Sequence, residues 1–324
     1  MTAPVLTTCG RCGAELAPGV LTCLSCGALV HTARLRELAQ AAASAESAGD
    51  VSKALGAWRE ALTLLPPETQ QYHTIVSKIA ALSSRVHSGE ARPPWWKRVS
   101  SLGPVGVVAA GLGKAKFLLL GFGKLGTLLS FLATFGVYWT LWGWKFALCF
   151  LLSIYIHEMG HVAALSRYGV PATAPTFIPG FGALIRLKQH PASAIEDARV
   201  GLAGPIWGLG AGLLWFGLYV VTGQPFWVAM MHATAWLNLF NLIPVWQLDG
   251  SRGTRSLDRT QTALLAAVAG VAWLVSREGM LIILALALAY RAYSKHDDTE
   301  SDWNGCGQFA GLIAALTLLS MLPL

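Results

Sequence analysis

The sequence predicts an all-α protein: a polytopic membrane helical bundle of about six to eight spans, preceded by a soluble N-terminal head. The 324 residues are 54% hydrophobic and 13% charged, with a mean hydropathy of +0.51, which is too apolar for a soluble protein of this length. Apolar stretches of about span length follow one another from residue 124 onward. The region before residue 91 has no such stretch and holds four of the six cysteines.

The clustered cysteines form two CxxC pairs, each followed by glycine, in "CGRCGAELAPGVLTCLSCG". They are Cys9, Cys12, Cys23 and Cys26. No secretory signal is recognisable before them, so a reducing cytoplasm is expected, where such pairs indicate metal more often than disulfides. Four thiolates at this spacing predict a closed, structural zinc ribbon over residues 1–31, with His31 outside the ligand set. The alternative is a group of free or redox-active thiols.

Residues 32–90 predict three helices, because apolar residues recur at helical spacing in "ARLRELAQAAASAESA", "VSKALGAWREALTLL" and "ETQQYHTIVSKIAALSSRV". The stretch "AGDVSKALGAWREALTLLP" resembles one tetratricopeptide repeat, although such repeats usually occur at least in threes. A plain helical spacer is an equally open interpretation. In either case the head is expected to offer a docking surface for a cytoplasmic regulator.

The membrane part begins with "RPPWWKR", whose tryptophans and basic residues are typical of a membrane interface. Residues 91–123 are interpreted as an interfacial linker or re-entrant segment, with 103–121 ambiguous. Seven spans are predicted, at about 124–143, 145–167, 198–222, 226–246, 261–276, 279–293 and 307–323.

Charge predicts the orientation of these spans. Most basic residues of the connecting loops fall on one side, which the positive-inside rule assigns to the cytoplasm together with the head. The same rule accounts for the net charge of +7, so no nucleic-acid partner is expected.

The most informative stretch is "IYIHEMGHVAAL", which places HEMGH inside a predicted span. His157 and His161 lie four residues apart, so a helix puts both on one face, where they can bind one metal ion. Glu158 is adjacent and can reach a water at that ion. Three ionisable side chains among apolar residues are costly in a membrane unless they line a cavity and bind something.

A third ligand is expected because catalytic zinc usually has three protein ligands and one open position. The candidate is Asp249 in "NLFNLIPVWQLDG", where Asn241 and Pro244 break the preceding helix. Taken alone, Asp249 followed by Gly250 is better explained as a helix-terminal turn, but the presence of HEMGH favours a metal ligand.

Together, HExxH in one span and N-x-x-P followed by L-D-G in a later one resemble the site-2 protease family of intramembrane zinc metalloproteases. The resemblance implies that residues 124–260 form the protease core and residues 261–324 add C-terminal membrane helices. It also implies that His157, His161 and Asp249 bind catalytic zinc, that Glu158 is the general base, and that Asn241 lies near the reacting carbonyl. The expected partners are transmembrane protein substrates and membrane lipid, and the expected location is a bacterial cytoplasmic membrane.

Residues 175–187, "PTFIPGFGALIRL", resemble the family's re-entrant β-hairpin, although an ordinary loop is the alternative. The hairpin would bind an unwound substrate segment as an added strand. The residues expected to bind substrate are Phe181, Gly182, Ala183 and Leu184. Gly204 and Pro205 are expected to permit close helix packing, and His232 is expected to be a membrane-facing or packing residue. Ser251 departs from the family pattern, which commonly has a second glycine there.

Two other classes of function stay open from the residues. One is a membrane zinc transporter, although the spans show neither an inverted repeat nor a second cluster of ionisable residues. The other is a proteolytically inactive membrane adaptor, against which the intact HEMGH and Asp249 argue.

Overall fold

The computed structural model describes residues 7–88, 125–180, 182–185, 191–295 and 301–322. The chain divides into two compact units. The first comprises Met1–Arg98 together with Arg167–Pro171, and the second comprises Val99–Ser166 together with Ala172–Leu324. The predicted segment 103–121 and Phe181 of the predicted hairpin lie outside the described residues.

The first unit opens with two similar cysteine turns. In each, the glycine after the second cysteine has positive φ, 71° at Gly13 and 67° at Gly27. Its N–H donates to the carbonyl of the first cysteine, at 2.9 Å to Cys9 and 2.8 Å to Cys23. Glycine adopts this backbone conformation without the steric cost that a side chain would bring. The chain therefore curls tightly around each cysteine pair.

Three helices follow where the sequence predicts them: α1 (Thr32–Ser47), α2 (Val51–Leu62) and α3 (Gln70–His87). Asp50 caps α2 by accepting from the Lys53 N–H, and Thr69 caps α3 in the same way. The faces of these helices bury apolar side chains such as Leu55 and Trp58. Residues 167–171 belong to this packing as well, because Arg59 donates to the Tyr168 carbonyl at 3.0 Å.

The second unit contains seven long helices among its described residues, one for each predicted span. They are α4 (Leu125–Trp142), α5 (Trp144–Arg167), α6 (Ala194–Thr222), α7 (Pro225–Asn241), α9 (Arg259–Ser276), α10 (Gly279–Ser294) and α11 (Trp303–Met321). Four of them, α4, α5, α6 and α11, are long and apolar enough to cross a bilayer. A short helix, α8 (Asp249–Gly253), lies between α7 and α9. The predicted helical membrane fold is confirmed, and the chain is an integral membrane protein.

Helix α6 lies at the centre of this unit, where it packs against α7, α8 and α11. Helices α9 and α10 form an antiparallel pair that also contacts α11 and α7. Buried leucines and aromatic residues such as Leu239 and Phe309 fill the space between these helices. The central position of α6 matters for the site, because the helices that carry ligands pack against it.

The predicted hairpin is present as two three-residue antiparallel strands, β1 (Thr176–Ile178) and β2 (Gly182–Leu184). In their register Phe177 lies opposite Ala183. The Phe177 N–H donates to Ser130 Oγ on α4 and so points away from β2. The pair of Phe177 and Ala183 is therefore a non-hydrogen-bonded pair, and the main-chain N–H and C=O of Ala183 point away from β1.

Candidate active site and cysteine cluster

Helix α5 and the short helix α8 bring three potential metal ligands together. His157 and His161 lie one turn apart on α5, with their Nε2 atoms 3.2 Å apart. Asp249, the first residue of α8, places one carboxylate oxygen 3.0 Å from His157 Nε2 and the other 3.2 Å from His161 Nε2. All three side chains are buried. The structure thus brings together the three residues that the sequence analysis proposes as ligands.

The outer ring nitrogens of the two histidines have their own partners. His161 Nδ1 lies 2.8 Å from the carbonyl of Val200 on α6, and His157 Nδ1 lies 2.8 Å from Oδ1 of Asn238 on α7. Because a carbonyl only accepts hydrogen bonds, a neutral His161 carries its proton on Nδ1 and directs the lone pair of Nε2 at Asp249. Lone pairs and a carboxylate that converge in a buried space repel one another unless a cation lies between them.

The spacing of the ligand atoms fits zinc. A tetrahedral zinc ion with nitrogen and oxygen ligands requires ligand atoms roughly 3.3 Å apart, and the three distances here are 3.0 to 3.2 Å. Three protein ligands leave one position for water or substrate. The donor set and the geometry both suit a catalytic ion.

Glycines allow the helices to approach this closely. A Cβ atom at Gly204 of α6 would overlap with His161 Nε2 and lie 2.7 Å from His157 Nε2. At Gly160 of α5 a Cβ would overlap with the main-chain carbonyl of Ala203, and at Gly250 it would collide with the main chain that follows α7. Gly204, which the sequence predicts to permit close helix packing, lies against the Nε2 edges of both imidazoles.

A cavity of about 1020 Å³ opens beside the three ligands. Glu158, Asn241, Ile178 and Ala183 also line it, so the predicted general base, the predicted asparagine and the hairpin share one space with the ligands. Asn241 is the last residue of α7, where the predicted break before Pro244 occurs.

One wall of the cavity is a strained turn. Trp246, which lines the cavity, has φ of 53°, a conformation that residues with a side chain rarely adopt. Ser251 Oγ donates to the Trp246 carbonyl at 3.0 Å and holds this turn. The departure from the family pattern at Ser251 therefore adds a hydrogen bond that a glycine could not make.

Another wall carries ion pairs. Asp197 at the start of α6 accepts from Arg252 Nε and from Arg255, each at 2.7 Å. Both arginines line the cavity. The two cations share one carboxylate, so this wall keeps net positive charge.

The cysteine cluster has the dimensions of a different metal site. Cys9 Sγ lies 3.7 Å from Cys26 Sγ, and Cys12 Sγ lies 3.7 Å from Cys23 Sγ. A disulfide would require about 2.05 Å, whereas tetrahedral zinc with four sulfur ligands requires roughly 3.8 Å. The N–H groups of Arg11 and Cys12 lower the pKa of the Cys9 thiol to about 6, which favours the thiolate that binds metal. The cluster suits a closed zinc ribbon.

Sequence reasoning missed Asn238, which is fully buried and contacts His157. A polar side chain three residues before Asn241 in an apolar helix was the available signal. His232, by contrast, lies away from the ligands and contacts the carbonyl of Leu322 at 2.7 Å, as expected for a packing residue. Of the residues predicted to bind substrate, Gly182 has no side chain and Leu184 contributes its backbone to β2.

The membrane helices, the two-histidine and aspartate centre, and the adjacent glutamate resemble the arrangement expected of membrane-embedded zinc metalloproteases. Residues 145–226 match Peptidase family M50, which is the site-2 protease family. The predicted resemblance is thereby confirmed over the segment that contains HEMGH. The match ends before Asp249.

Three curated proteins illustrate the similarity. A zinc metalloprotease of Methanocaldococcus jannaschii is 28% identical over 122 residues, which cover 36% of this chain and 34% of that protein. Stage IV sporulation protein FB of Bacillus subtilis is 31% identical over 112 residues, 33% of this chain and 38% of that protein. The probable chloroplastic zinc metalloprotease EGY2 of Arabidopsis thaliana is 35% identical over 81 residues, 23% of this chain and 15% of that protein. The chain therefore spans less than half the length of these relatives. No solved structure is significantly similar to it.

Proposed function

We propose that this protein is an intramembrane zinc metalloprotease that hydrolyses peptide bonds in or near the transmembrane segments of membrane proteins. One observation carries the proposal: His157, His161 and Asp249 converge at zinc-like distances on a candidate membrane span, and Glu158 lines the same cavity. The similarity to zinc metalloproteases supports it.

Two metal ions are proposed. One catalytic zinc is held by His157, His161 and Asp249. One structural zinc is held by Cys9, Cys12, Cys23 and Cys26, whose closed shell leaves no position for chemistry. When bound, the catalytic ion would supply a Lewis acid that activates water and polarises a carbonyl.

Glu158 is the proposed general base. Its carboxylate takes a proton from the attacking water and passes that proton to the nitrogen of the departing amine, so it ends the cycle unchanged. Asn241 lines the cavity from the end of α7, where its amide N–H can donate to the carbonyl oxygen that becomes negative during attack. Peptide cleavage therefore needs no further titratable group from the chain.

The hairpin is the proposed binding site for the substrate backbone. A transmembrane helix hides its peptide bonds in its own hydrogen bonds, so the substrate must unwind before it can be cut. The main-chain groups of Ala183 point away from β1, and Ala183 lines the cavity. An extended substrate segment along β2 would regain the hydrogen bonds it lost on unwinding. Phe181, Gly182 and Leu184 are the other residues proposed to bind the substrate.

The location and the partners follow from charge and position in the chain. We propose a bacterial cytoplasmic membrane with the N-terminal head in the cytoplasm, since basic residues such as Arg252, Arg255 and Lys295 fall between the membrane helices on one side. The zinc ribbon and helices α1 to α3 would receive a cytoplasmic regulator.

The test replaces Glu158 with glutamine, which retains the shape of the side chain and removes its basicity. Membrane-protein fragments are compared by proteomics between cells that express the wild-type protein and cells that express Glu158→Gln. Fragments that end within transmembrane segments are expected only with the wild-type protein. Purified Glu158→Gln is expected to retain its metal.

The matched control is Glu278→Gln, the same chemical change at the start of α10 and away from the cavity. It should produce the wild-type fragments. Equal fragment patterns from wild-type protein and Glu158→Gln would overturn the proposal. Zinc uptake into proteoliposomes that depends on His157 would favour a transporter instead.

A further inference from the structure

We propose that Asn238 is a positioning residue that fixes the tautomer and the orientation of His157 for metal binding. The inference rests on the proposed metal centre and adds a residue to it. Asn238 lies in the last turn of α7, and its side chain is fully buried. It does not contact the ligand-facing nitrogen of His157 and so takes no part in the reaction itself.

The orientation of the Asn238 amide follows from its second contact. Its Nδ2 lies 2.7 Å from the main-chain carbonyl of Thr234, one turn earlier on α7. A carbonyl accepts and cannot donate, so the NH₂ group of the amide must face Thr234. The remaining amide atom, Oδ1, therefore faces His157 Nδ1 at 2.8 Å.

This orientation determines the proton position on His157. Oδ1 only accepts, so Nδ1 of His157 must donate and carry the proton of the neutral ring. Nε2 then keeps its lone pair, and Nε2 is the atom that lies 3.0 Å from Asp249 and 3.2 Å from His161. The Thr234 carbonyl thus determines the orientation of the Asn238 amide, and the amide determines which ring nitrogen of His157 carries the proton. The imidazole therefore presents the lone pair of Nε2 to the metal position.

The Asn238 amide is also closely packed against α6. A Cβ at Gly208 of α6 would overlap with the Asn238 amide, so the amide lies directly on the main chain of α6. Gly204, one turn earlier on α6, gives the same kind of room to the two imidazoles. The amide is therefore held between two helices and cannot rotate without separating them.

The side chains one turn before Asn238 on α7 and on the adjacent helices include polar groups that are hydrogen-bonded to one another. Ser153 Oγ on α5 lies 2.9 Å from Thr234 Oγ1, and Trp215 Nε1 of α6 donates to Ser153 Oγ at 2.8 Å. These bonds tie α5, α6 and α7 together deep in the membrane unit, next to the residue that orients His157. Such outer contacts typically change metal affinity 10- to 100-fold when a partner of a ligand is removed.

The experiment measures Co²⁺ affinity of the full-length protein by visible absorption, with competing chelator. The four thiolates of the ribbon produce a sulfur-to-metal charge-transfer band that a centre with nitrogen and oxygen ligands lacks, so the two sites are followed separately. Asn238→Leu keeps a similar branched shape and removes the acceptor. Asn238→Asp keeps an acceptor for His157 and removes the donor to Thr234.

Asn238→Leu is expected to weaken Co²⁺ binding at the histidine centre 10- to 100-fold, while Asn238→Asp is expected to bind within about threefold of the wild-type protein or more tightly. The control Thr317→Val removes a different buried polar group, a hydroxyl on α11, and should leave affinity unchanged. Thermal unfolding of each variant separates loss of metal affinity from loss of the fold.

Two results would overturn the inference: wild-type affinity in Asn238→Leu, or an equal loss in Asn238→Leu and Asn238→Asp, which would assign Asn238 to packing or to its bond with Thr234. If the wild-type protein binds Co²⁺ only with the thiolate band, the proposed histidine centre itself fails. That outcome is distinct, because it appears before any Asn238 variant is measured.

Discussion

The two candidate metal-binding groups of this chain differ in how they are built. The cysteine cluster draws four ligands from one stretch of 18 residues, and its tight turns depend on glycines next to the ligands. The histidine and aspartate centre draws three ligands from two helices, with His161 and Asp249 separated by 88 positions (249 − 161), and it depends on Gly204 of a third helix, α6. A closed local shell suits structure, whereas an open shell assembled from distant elements suits catalysis beside a cavity.

The largest effect is expected at the cysteine cluster. Cys23→Ser removes one of four ligands, and structural zinc contributes roughly 10 kcal/mol to the folding of small ribbons. We expect the ribbon to lose its metal and become sensitive to protease, while the histidine centre keeps its ion. Metal content per chain, measured by mass spectrometry, should fall by one.

Cys306→Ser is the control for that change, because Cys306 is a buried thiol on α11 outside the cluster. It should retain the full metal content. Loss of both ions in Cys23→Ser would show that the two centres are not independent and would remove the basis of the comparison.

The next largest effect is expected at the histidine centre. His161→Ala leaves two ligands, too few for a catalytic zinc site. We expect this variant to lose the metal of the histidine centre only and its cleavage to fall by at least about 10²-fold, the smallest loss typical for removal of an electrostatic stabiliser. His232→Ala, which changes a histidine outside the ligand group, should cleave normally. Retained cleavage in His161→Ala would contradict the proposed ligand set.

Gly204→Ala tests whether close helix approach is what assembles the open shell. The added methyl group would occupy the space of both Nε2 atoms, and forced overpacking costs about 1–3 kcal/mol. We expect weaker metal binding together with a lower unfolding temperature. Gly210→Ala, on the same helix but with open space around it, should change neither quantity. Normal metal affinity in Gly204→Ala would mean that α6 can move aside without consequence.

The smallest effect is expected at the cavity wall. Ser251→Ala removes the hydrogen bond to the Trp246 carbonyl, which is worth about 1 kcal/mol. We expect a change in cleavage rate of less than about tenfold and unchanged metal content. Ser294→Ala, at the end of α10, provides the control for loss of a serine hydroxyl. A complete loss of metal in Ser251→Ala would place this turn within the metal centre.

Local patterns in the sequence predicted the parts of each centre that lie along one element. The spacing of His157 and His161 on a helix, the CxxC pairs, and the break of α7 before Pro244 all follow from short-range geometry. Asp249 was accessible because the resemblance to a known family joined two distant motifs.

The missed parts depend on contacts between helices. Asn238 contacts His157 across 81 positions of sequence, and the sequence around either residue does not predict that contact. Gly204 was recognised as a packing residue, but the identity of its partner required the arrangement of α5 against α6. The exact lengths of β1 and β2 also depend on tertiary contacts, since α4 engages the Phe177 N–H.

The hydrogen bond between His161 and the Val200 carbonyl depends on the position of the α6 main chain and not on a side chain of α6. Substitutions of the fully buried Val200 side chain would disturb packing but would leave this hydrogen bond in place, since every amino acid supplies the same main-chain carbonyl. His161 is instead vulnerable to displacement of the helix along its axis. Bilayers of different thickness, which change helix tilt, should therefore lengthen the contact between His161 and the Val200 carbonyl, whereas a change of side chain at position 200 keeps the carbonyl itself.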